Sequence, residues 1–261
     1  MAPILIHYHI FKNAGSSVDH ALRAHFGDAW TTWDGDSHHD ALSPSALAGY
    51  LRANPGLRAL SSHQAHPPVP WSGCHPLVFL RHPLDRAWSV YNFVAADATQ
   101  PNSSLARQAG FRGYVAWALG GDPSGVVIRD YQVVHLSSAA CRQSSLLQAR
   151  ATPADLEEAR AFIDACPAFG LVRRFSDSAA LLEKTYGQHF PGFRMAPVRL
   201  NTGPQSLATE AMTLDQARQV LGESLFRAFM EQNALDAELY RHAVARFETL
   251  LHQTGLGQNE T

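Results

Sequence analysis

Two sequence periodicities succeed each other within the first 26 residues, and this change limits the fold more than any other feature. Residues 3–11 (PILIHYHIF) are a continuous apolar and aromatic run, which is typical of a buried strand. A polar loop of small residues follows at 12–17 (KNAGSS). Apolar residues then recur at helical spacing, so a helix is predicted from about Ser16. A strand, a small-residue loop and a helix in this order predict an α/β architecture.

The alternation of strands and helices continues along the chain. We expect one domain over residues 1–261, with a three-layer α/β fold and a central, mainly parallel sheet flanked by helices. Residues 28–45 read as a polar loop, while 97–151 and 188–206 have no clear pattern. Strands are predicted at 56–62, 75–80 and 168–172, and helices at 44–54, 84–96, 153–166, 176–187, 213–231 and 234–252.

Composition excludes several classes of protein. The net charge of −2 argues against broad nucleic-acid binding, which needs a basic excess or stripe. Neither a membrane span nor a signal peptide is recognisable, because the apolar runs are short and the first of them reads as a strand. The three cysteines have no pairing pattern, as expected of reduced thiols. The expected setting is therefore cytoplasmic.

The loop at 12–17 has the composition of an anion cradle. A helix N-terminus offers unpaired N–H groups and a partial positive charge to a phosphate-like group. Gly15 is expected to permit an unusual backbone angle, Ser16 and Ser17 add hydroxyl donors, and Lys12 adds a full charge. The lysine precedes the glycine, so the loop is not a Walker A motif. The alternative is an ordinary capped turn with a surface lysine.

A second strand, turn and helix follows at 77–93 (LVFLRHPLDRAWSVYNF). Arg81 stands at the carboxyl end of the strand, where ligands of open α/β sheets bind, and Ser89 lies two turns into the next helix. The planar guanidinium of Arg81 suits a phosphate, although a strand-end arginine can equally serve as a surface ion-pair partner. Arg81 and the Lys12 loop are expected to face one crevice and to bind a ligand with two separated anionic groups.

Both motifs resemble those of sulfotransferases that use 3′-phosphoadenosine 5′-phosphosulfate (PAPS). HIFKNAGSS (9–17) resembles their 5′-phosphosulfate loop, close to H-x-P-K-T-[AG]-G-[ST]-[ST]. The segments 159–187 and 233–247 are similar to regions of the carbohydrate (heparan sulfate 2-O-like) branch, so that most of the chain is covered, with 97–150 resembling it least. RHPLDRAWSVY resembles the 3′-phosphate motif R-x-P-x-x-R-x-x-S-x-Y at Arg81, Pro83, Arg86, Ser89 and Tyr91.

Three positions depart from the family pattern. Phe11 stands where proline is common, Asn13 where threonine is common, and His82 where an acidic residue is frequent. None of these changes removes a required charge, but Asn13 replaces one hydroxyl donor of the cradle. The resemblance implies a P-loop-NTPase-like sulfotransferase fold. Since the family's Golgi members carry a membrane anchor and this chain shows none, it also implies a bacterial, cytoplasmic relative.

The resemblance assigns roles to the residues of both loops. Lys12 would stabilise charge on the departing nucleotide, and Arg81 with Ser89 would hold the 3′-phosphate of PAPS. The product would be adenosine 3′,5′-bisphosphate, and no metal is required. The 5′-phosphosulfate would lie against the backbone N–H groups of Asn13, Ala14, Gly15, Ser16 and Ser17.

Histidine is the expected general base. His63 follows a predicted strand, and its unperturbed pKa near 6.5 suits proton abstraction at neutral pH. The 2-O-sulfotransferase branch has a histidine in a similar position, which favours His63, while His66 remains an alternative base or an acceptor contact. The clusters at 7–9 (HYH) and 37–40 (SHHD) lack the ligand spacing of zinc sites, so packing or hydrogen bonding is expected of His7 and His9.

The acceptor is less well defined than the donor. Trp30, Trp33, Asp34 and Asp36 could line an acceptor pocket, and Arg199 and Asn201 are weak candidates for nucleotide contacts. The leading interpretation is transfer of a sulfuryl group from PAPS to a hydroxyl, with a carbohydrate or glycoconjugate as acceptor. The alternatives are a module that binds PAPS or its bisphosphate product without turnover, and an ATP-dependent, kinase-like phosphotransferase. The oligomeric state cannot be predicted.

Overall fold

A parallel sheet organises the part of the chain that this computed structural model describes, residues 2–36, 41–143, 146–195 and 212–257. The strands are β1 Ile4–Tyr8, β2 Trp30–Thr32, β3 Ala59–Ser62, β4 Cys74–Leu77, β5 Phe79–Leu80 and β6 Gly170–Leu171. Four of them lie in the order β2-β3-β1-β4, and every neighbouring pair is parallel. β5 follows β4 after a single residue and forms a second parallel pair with β6.

Helices connect the strands and follow them. The helices are α1 Gly15–Phe26, α2 Pro44–Ala53, α3 Pro83–Ala96, α4 Ser103–Leu119, α5 Tyr131–His135, α6 Ala139–Arg142, α7 Pro153–Ala165, α8 Phe175–Tyr186, α9 Leu214–Leu221, α10 Glu223–Glu231 and α11 Ala234–Thr254. Caps fix several of these boundaries. The Ser43 side chain accepts a hydrogen bond from Ala46 N at the start of α2, and Thr152 and Asp155 form a capping box on α7.

Two large apolar cores and a small third cluster, at Val134, Ala140 and Ala149, hold these elements together. All five residues of β1 are buried, and since alternate residues point to opposite faces, the sheet is covered on both sides. The larger core joins the sheet to α1, α7, α8 and α11. The smaller core lies among α3, α4, α9 and α10 and includes Leu84, Phe111, Leu221 and Phe229. The central parallel sheet flanked by helices confirms the predicted α/β class and is consistent with three layers.

The structure differs from the sequence prediction mainly in irregular segments. The loop predicted at 28–45 contains β2, a three-residue edge strand too short to show a period. The helix predicted at 213–231 is two helices, because Gly222 adopts a φ of 77° between α9 and α10. Within the described ranges, none of the helices combines the length and apolar character that a bilayer crossing demands.

Candidate functional site

Three strand ends meet at one edge of the sheet, and the predicted functional residues follow them. β1 and β3 pair in register up to their last residues, so the next residues, His9 and His63, are cross-strand neighbours. Lys12 follows β1 by four residues, and Arg81 follows β5 directly. These are carboxyl ends of parallel strands, the position where ligands of open α/β sheets bind.

The loop before α1 turns sharply at two residues that are not glycine. Lys12 and Ala14 have φ values of 67° and 65°, in the left-handed region. The expectation that Gly15 supplies the unusual backbone angle is therefore wrong. Gly15 is instead the first residue of α1, and a Cβ there would lie 1.6 Å from His9 Nε2. The position needs glycine because the imidazole of His9 occupies the space of a side chain.

The side chains of the loop point in different directions. Ser16 is exposed and Ser17 is half-buried at the start of α1. Asn13 is buried, and its Nδ2 donates hydrogen bonds to Phe79 O and to Gln132 Oε1, both at 2.8 Å. The asparagine therefore ties the loop to β5 and does not add a side-chain donor to the cradle.

Lys12 and Arg81 are brought together by a direct contact. Arg81 Nη1 donates to Lys12 O at 3.0 Å, while Lys12 Nζ lies 4.4 Å from the centre of the Phe93 ring. Burial, with the Arg81 charge adding to it, lowers the pKa of Lys12 to about 8. Burial is also the main reason why the pKa of Arg81 falls to about 10. The Arg81 charge is near enough to disfavour protonation of Lys12, and an anion beside the two groups would offset this repulsion.

One N–H group of the Arg81 guanidinium has no acceptor among the described residues. This group is Nε, which is buried. The motif's second arginine, Arg86, is fully buried and donates to Phe11 O and Val127 O, so it holds the Lys12 loop from inside the core. Ser89 lies half-buried in the second turn of α3.

Gln132 connects the two loops. Its Oε1 accepts hydrogen bonds from Asn13 Nδ2 and from Arg81 N, and its Nε2 donates to Arg81 O at 2.8 Å. Asp236, also buried, accepts from Gln132 Nε2 and from the backbone N–H groups of Gln132 and Val133. The first turn of α11 thus holds α5 in place. Gln132 of α5 in turn holds the Lys12 loop and the backbone of Arg81.

His63 is held by hydrogen bonds from both its ring and its backbone N–H. Its Nδ1 donates to His9 O at 2.9 Å, because a carbonyl oxygen only accepts, and the neutral ring then has its lone pair on Nε2. Asp34 Oδ1 accepts from His63 N at 2.6 Å and from Ser62 Oγ at 3.0 Å. Burial, followed by the nearby His9 ring, lowers the pKa of His63, so the ring is neutral at pH 7.

His7 and His9 lie on one face of β1 and share the carboxylate of Asp19. His7 Nδ1 lies 2.9 Å from Oδ1, and His9 Nδ1 lies 3.1 Å from Oδ2. The three groups offer possible ligand atoms within 4.8 Å of one another, which the sequence analysis missed. The imidazole rings are stacked at an angle of 19°, and each nitrogen meets a different oxygen. The distances are those of two hydrogen bonds, one to each oxygen of the carboxylate.

The other candidate residues lie deeper or serve the scaffold. His66 is buried against the backbone of His135 and Ser137, and burial lowers its pKa to about 4. Trp33 stacks on Tyr50 at 4.0 Å, and Trp30 Nε1 donates to Ser61 Oγ.

The remaining predicted residues lie either at the surface or outside the described residues. Asp36 is exposed. Arg199, Asn201 and the cluster at 37–40 lie outside the described residues.

The sequence analysis did not identify Asp19 or Gln132. It also did not predict that Asp34 accepts hydrogen bonds from Ser62 Oγ and His63 N. Asp19 is four residues after Gly15 on α1, a spacing that places both on one helix face and could have been noticed. Gln132 lies in a segment without a readable pattern, so no local signal marked it.

Comparison with known proteins gives one relative and no family. No family model matches the chain. A protein of Archaeoglobus fulgidus, described as uncharacterized, is 27% identical over 255 residues, which cover 94% of this chain and 97% of the relative. The two proteins thus match along nearly their whole lengths.

Proposed function

We propose that this protein is a PAPS-dependent sulfotransferase that transfers a sulfuryl group to an acceptor hydroxyl. The observation that carries the proposal is the hydrogen bond from Arg81 Nη1 to Lys12 O, beside the strand end that bears His63. Lys12, Arg81 and the neutral imidazole of His63 thus all follow the carboxyl ends of parallel strands. A donor with two anionic groups and an acceptor with a dissociable proton fit this set of charges.

The residues present fit a PAPS-like donor. Arg81 Nε has no hydrogen-bond partner among the described residues, and no side chain caps the N-terminus of α1. Lys12 adds an ammonium group on a flexible side chain, which lies over the ring of Phe93 in this structure. By resemblance, the 5′-phosphosulfate lies at residues 13–17, and Arg81 and Ser89 bind the 3′-phosphate. The proposal includes a P-loop-NTPase-like sulfotransferase fold, from whose motifs this chain departs at Phe11, Asn13 and His82.

In the proposed reaction, His63 Nε2 accepts the proton of the acceptor hydroxyl. The new bond forms between the acceptor oxygen and sulfur, while the bond from sulfur to the 5′-phosphate oxygen breaks and its electron pair stays with the bisphosphate. Lys12 and the N–H groups of α1 stabilise the charge that develops on this leaving oxygen. His63 is preferred to His66 as the base, because the ring of His66 is buried away from solvent.

Calorimetric titration tests the donor site. Adenosine 3′,5′-bisphosphate is expected to bind more tightly than AMP or ATP, and Arg81→Ala to weaken its binding about 10- to 100-fold, as expected for a charge-assisted hydrogen-bond donor. Arg58→Ala is the matched control, because Arg58 precedes β3 at the opposite edge of the sheet and donates to Pro3 O.

Turnover is then measured with labelled PAPS and a panel of neutral and acidic saccharides, glycolipids and small alcohols. Preferential binding of ATP would contradict the proposal in favour of a phosphotransferase. Bisphosphate binding without transfer to any acceptor would identify a binding module. A carbohydrate or glycoconjugate is the acceptor class that the resemblance implies.

A further inference from the structure

His9 joins the anion cradle to the proposed base. Its ring lies 3.8 Å from the His63 ring, centre to centre, with an angle of 35° between the planes. On its other side, His9 Nε2 occupies the space that a side chain at Gly15 would need. The imidazole of His9 therefore fills the gap between the first residue of α1 and His63.

Asp19 holds this imidazole in place. Asp19 Oδ2 lies 3.1 Å from His9 Nδ1, which must carry the proton because a carboxylate oxygen accepts. The other oxygen, Oδ1, accepts from His7 Nδ1 and from Ser61 Oγ at 2.6 Å. Hydrogen bonds and the two histidines keep the pKa of Asp19 well below its usual range despite partial burial, so it is an anion at neutral pH.

We propose that Asp19 and His9 are positioning residues for His63, and that the three side chains work as one unit in the transfer reaction. His9 sets the ring plane of the base by stacking, and Asp19 fixes the orientation of His9. The inference rests on the proposed function for its role in turnover, but the arrangement itself is testable without turnover.

The charged and titratable groups around His63 predict the direction in which its pKa should change in each variant. His63 faces His9 just after β1, Asp34 after β2 and Asp19 on α1, with His7 and His135 in the surrounding histidine cluster. After burial, His9 is the main group that lowers the pKa of His63, whereas Asp34 and Asp19 raise it. Removing His9 and removing the Asp19 charge should therefore shift the pKa of His63 in opposite directions.

Two substitutions separate these effects. His9→Phe keeps an aromatic ring against His63 but removes the titrating nitrogens, so the pKa of His63 should rise. Asp19→Asn keeps the shape of the side chain but removes its charge, so the pKa of His63 should fall. These shifts report that the three groups are close together, whereas the tautomer of His63 and kcat report whether the base is positioned.

The measurement is an NMR titration of His63 in the intact protein, with assignment from a His63→Gln variant. Long-range ¹H–¹⁵N correlation spectra also report which ring nitrogen carries the proton, expected to be Nδ1. His20→Phe is the matched control, because His20 is exposed on the same helix as Asp19. Amide spectra resembling wild type establish that each variant is folded.

Kinetics connect the unit to turnover. In His9→Phe and Asp19→Asn, kcat should fall about 10- to 100-fold, the cost expected of a misplaced catalytic group. The low-pH limb of the kcat profile should move in the same direction as the pKa of His63, while KM for PAPS changes less than kcat. Unchanged or parallel pKa shifts in the two folded variants, or a neutral His63 protonated on Nε2, would overturn the inference.

Failure of the proposed function gives a different result. If the bisphosphate does not bind and no acceptor is sulfated, while the opposite pKa shifts are still seen, the unit exists but serves another reaction. If PAPS is turned over and the shifts are absent, the function stands and the positioning role is rejected.

Discussion

Asn13 Nδ2 donates a hydrogen bond to Gln132 Oε1 at 2.8 Å, and both side chains are buried. The same oxygen accepts from the backbone of Arg81, so one amide sets the distance between two loops that are 68 residues apart in sequence. A ligand with two anionic groups needs this distance to be constant. The buried amide gives that constancy from inside the protein, away from the site proposed for the donor.

Breaking this bridge should weaken the protein and its donor site together. Asn13→Ala or Gln132→Ala leaves buried polar groups unpaired, at a cost of about 1–3 kcal/mol in the free energy of unfolding. A double-mutant cycle should give an interaction energy of about 0.5–3 kcal/mol, since the two side chains are in contact. Urea unfolding and calorimetric titration of the bisphosphate measure both effects.

Gln108→Ala is the control for this cycle, because Gln108 is exposed on α4 and its side chain donates a hydrogen bond to Ser104 Oγ on the same helix. Strictly additive effects of the Asn13 and Gln132 substitutions would argue against the bridge.

Gly15→Ala should displace His9. The added Cβ would lie 1.6 Å from His9 Nε2, far inside van der Waals contact, so the ring must leave its place against His63. We expect turnover to fall about 100-fold or more. Steady-state kinetics measure this loss, and circular dichroism checks that the helices remain.

The matched variant is Gly49→Ala, in the interior of α2, where a Cβ meets no atom within 4 Å. It should raise stability by about 0.5–1 kcal/mol through helix propensity and leave activity unchanged. Equal losses in the two variants would show that Gly15 matters only as a helical glycine.

Binding of the bisphosphate should take up a proton at Lys12. Burial lowers the pKa of Lys12 to about 8, and an anion beside the ammonium raises this pKa again. At pH 8 about half of the lysine is neutral, so complex formation should take up as much as about half a proton. Titrations in buffers of different ionisation enthalpy measure the uptake.

Lys12→Arg is the informative comparison, because arginine stays charged at pH 8 and should abolish the uptake. An uptake that persists in this variant would place the titrating group elsewhere in the site.

Asp130 should make the protein less stable as pH rises from about 4 to about 7. Burial, with a contribution from Asp236, raises the pKa of Asp130 to about 7, above its unfolded value near 3.9. The folded state therefore binds this proton more tightly. The stabilisation is fully present below the unfolded pKa and is lost as pH rises through the folded pKa.

Asp130→Asn should reduce this pH dependence of the free energy of unfolding, measured by urea denaturation between pH 4 and pH 8. Part of it should remain, since burial also raises the pKa of Asp236. Asparagine tolerates the backbone φ of 41° at this position. The exposed Asp215→Asn is the control, and an equal effect there would refute the assignment.

The local sequence determined most of the helices and strands and the two loops at their ends, but not β2, α4, α5 or α6. Hydrophobic periodicity and capping residues act over a few positions, so Ser43, the run before Lys12 and the strand before Arg81 could be interpreted directly. The same local signals placed His63 at a strand end, next to the edge where the loops meet.

The tertiary structure alone decided how these groups are connected. Gly15 is required because of His9, which lies across the loop, and Asn13 turns inward because Gln132 and Phe79 present acceptors there. Asp19 meets His9 only once α1 packs on β1. Hydrogen bonds between residues distant in sequence depend on packing and leave no periodic trace in the chain, so only the folded structure could show them.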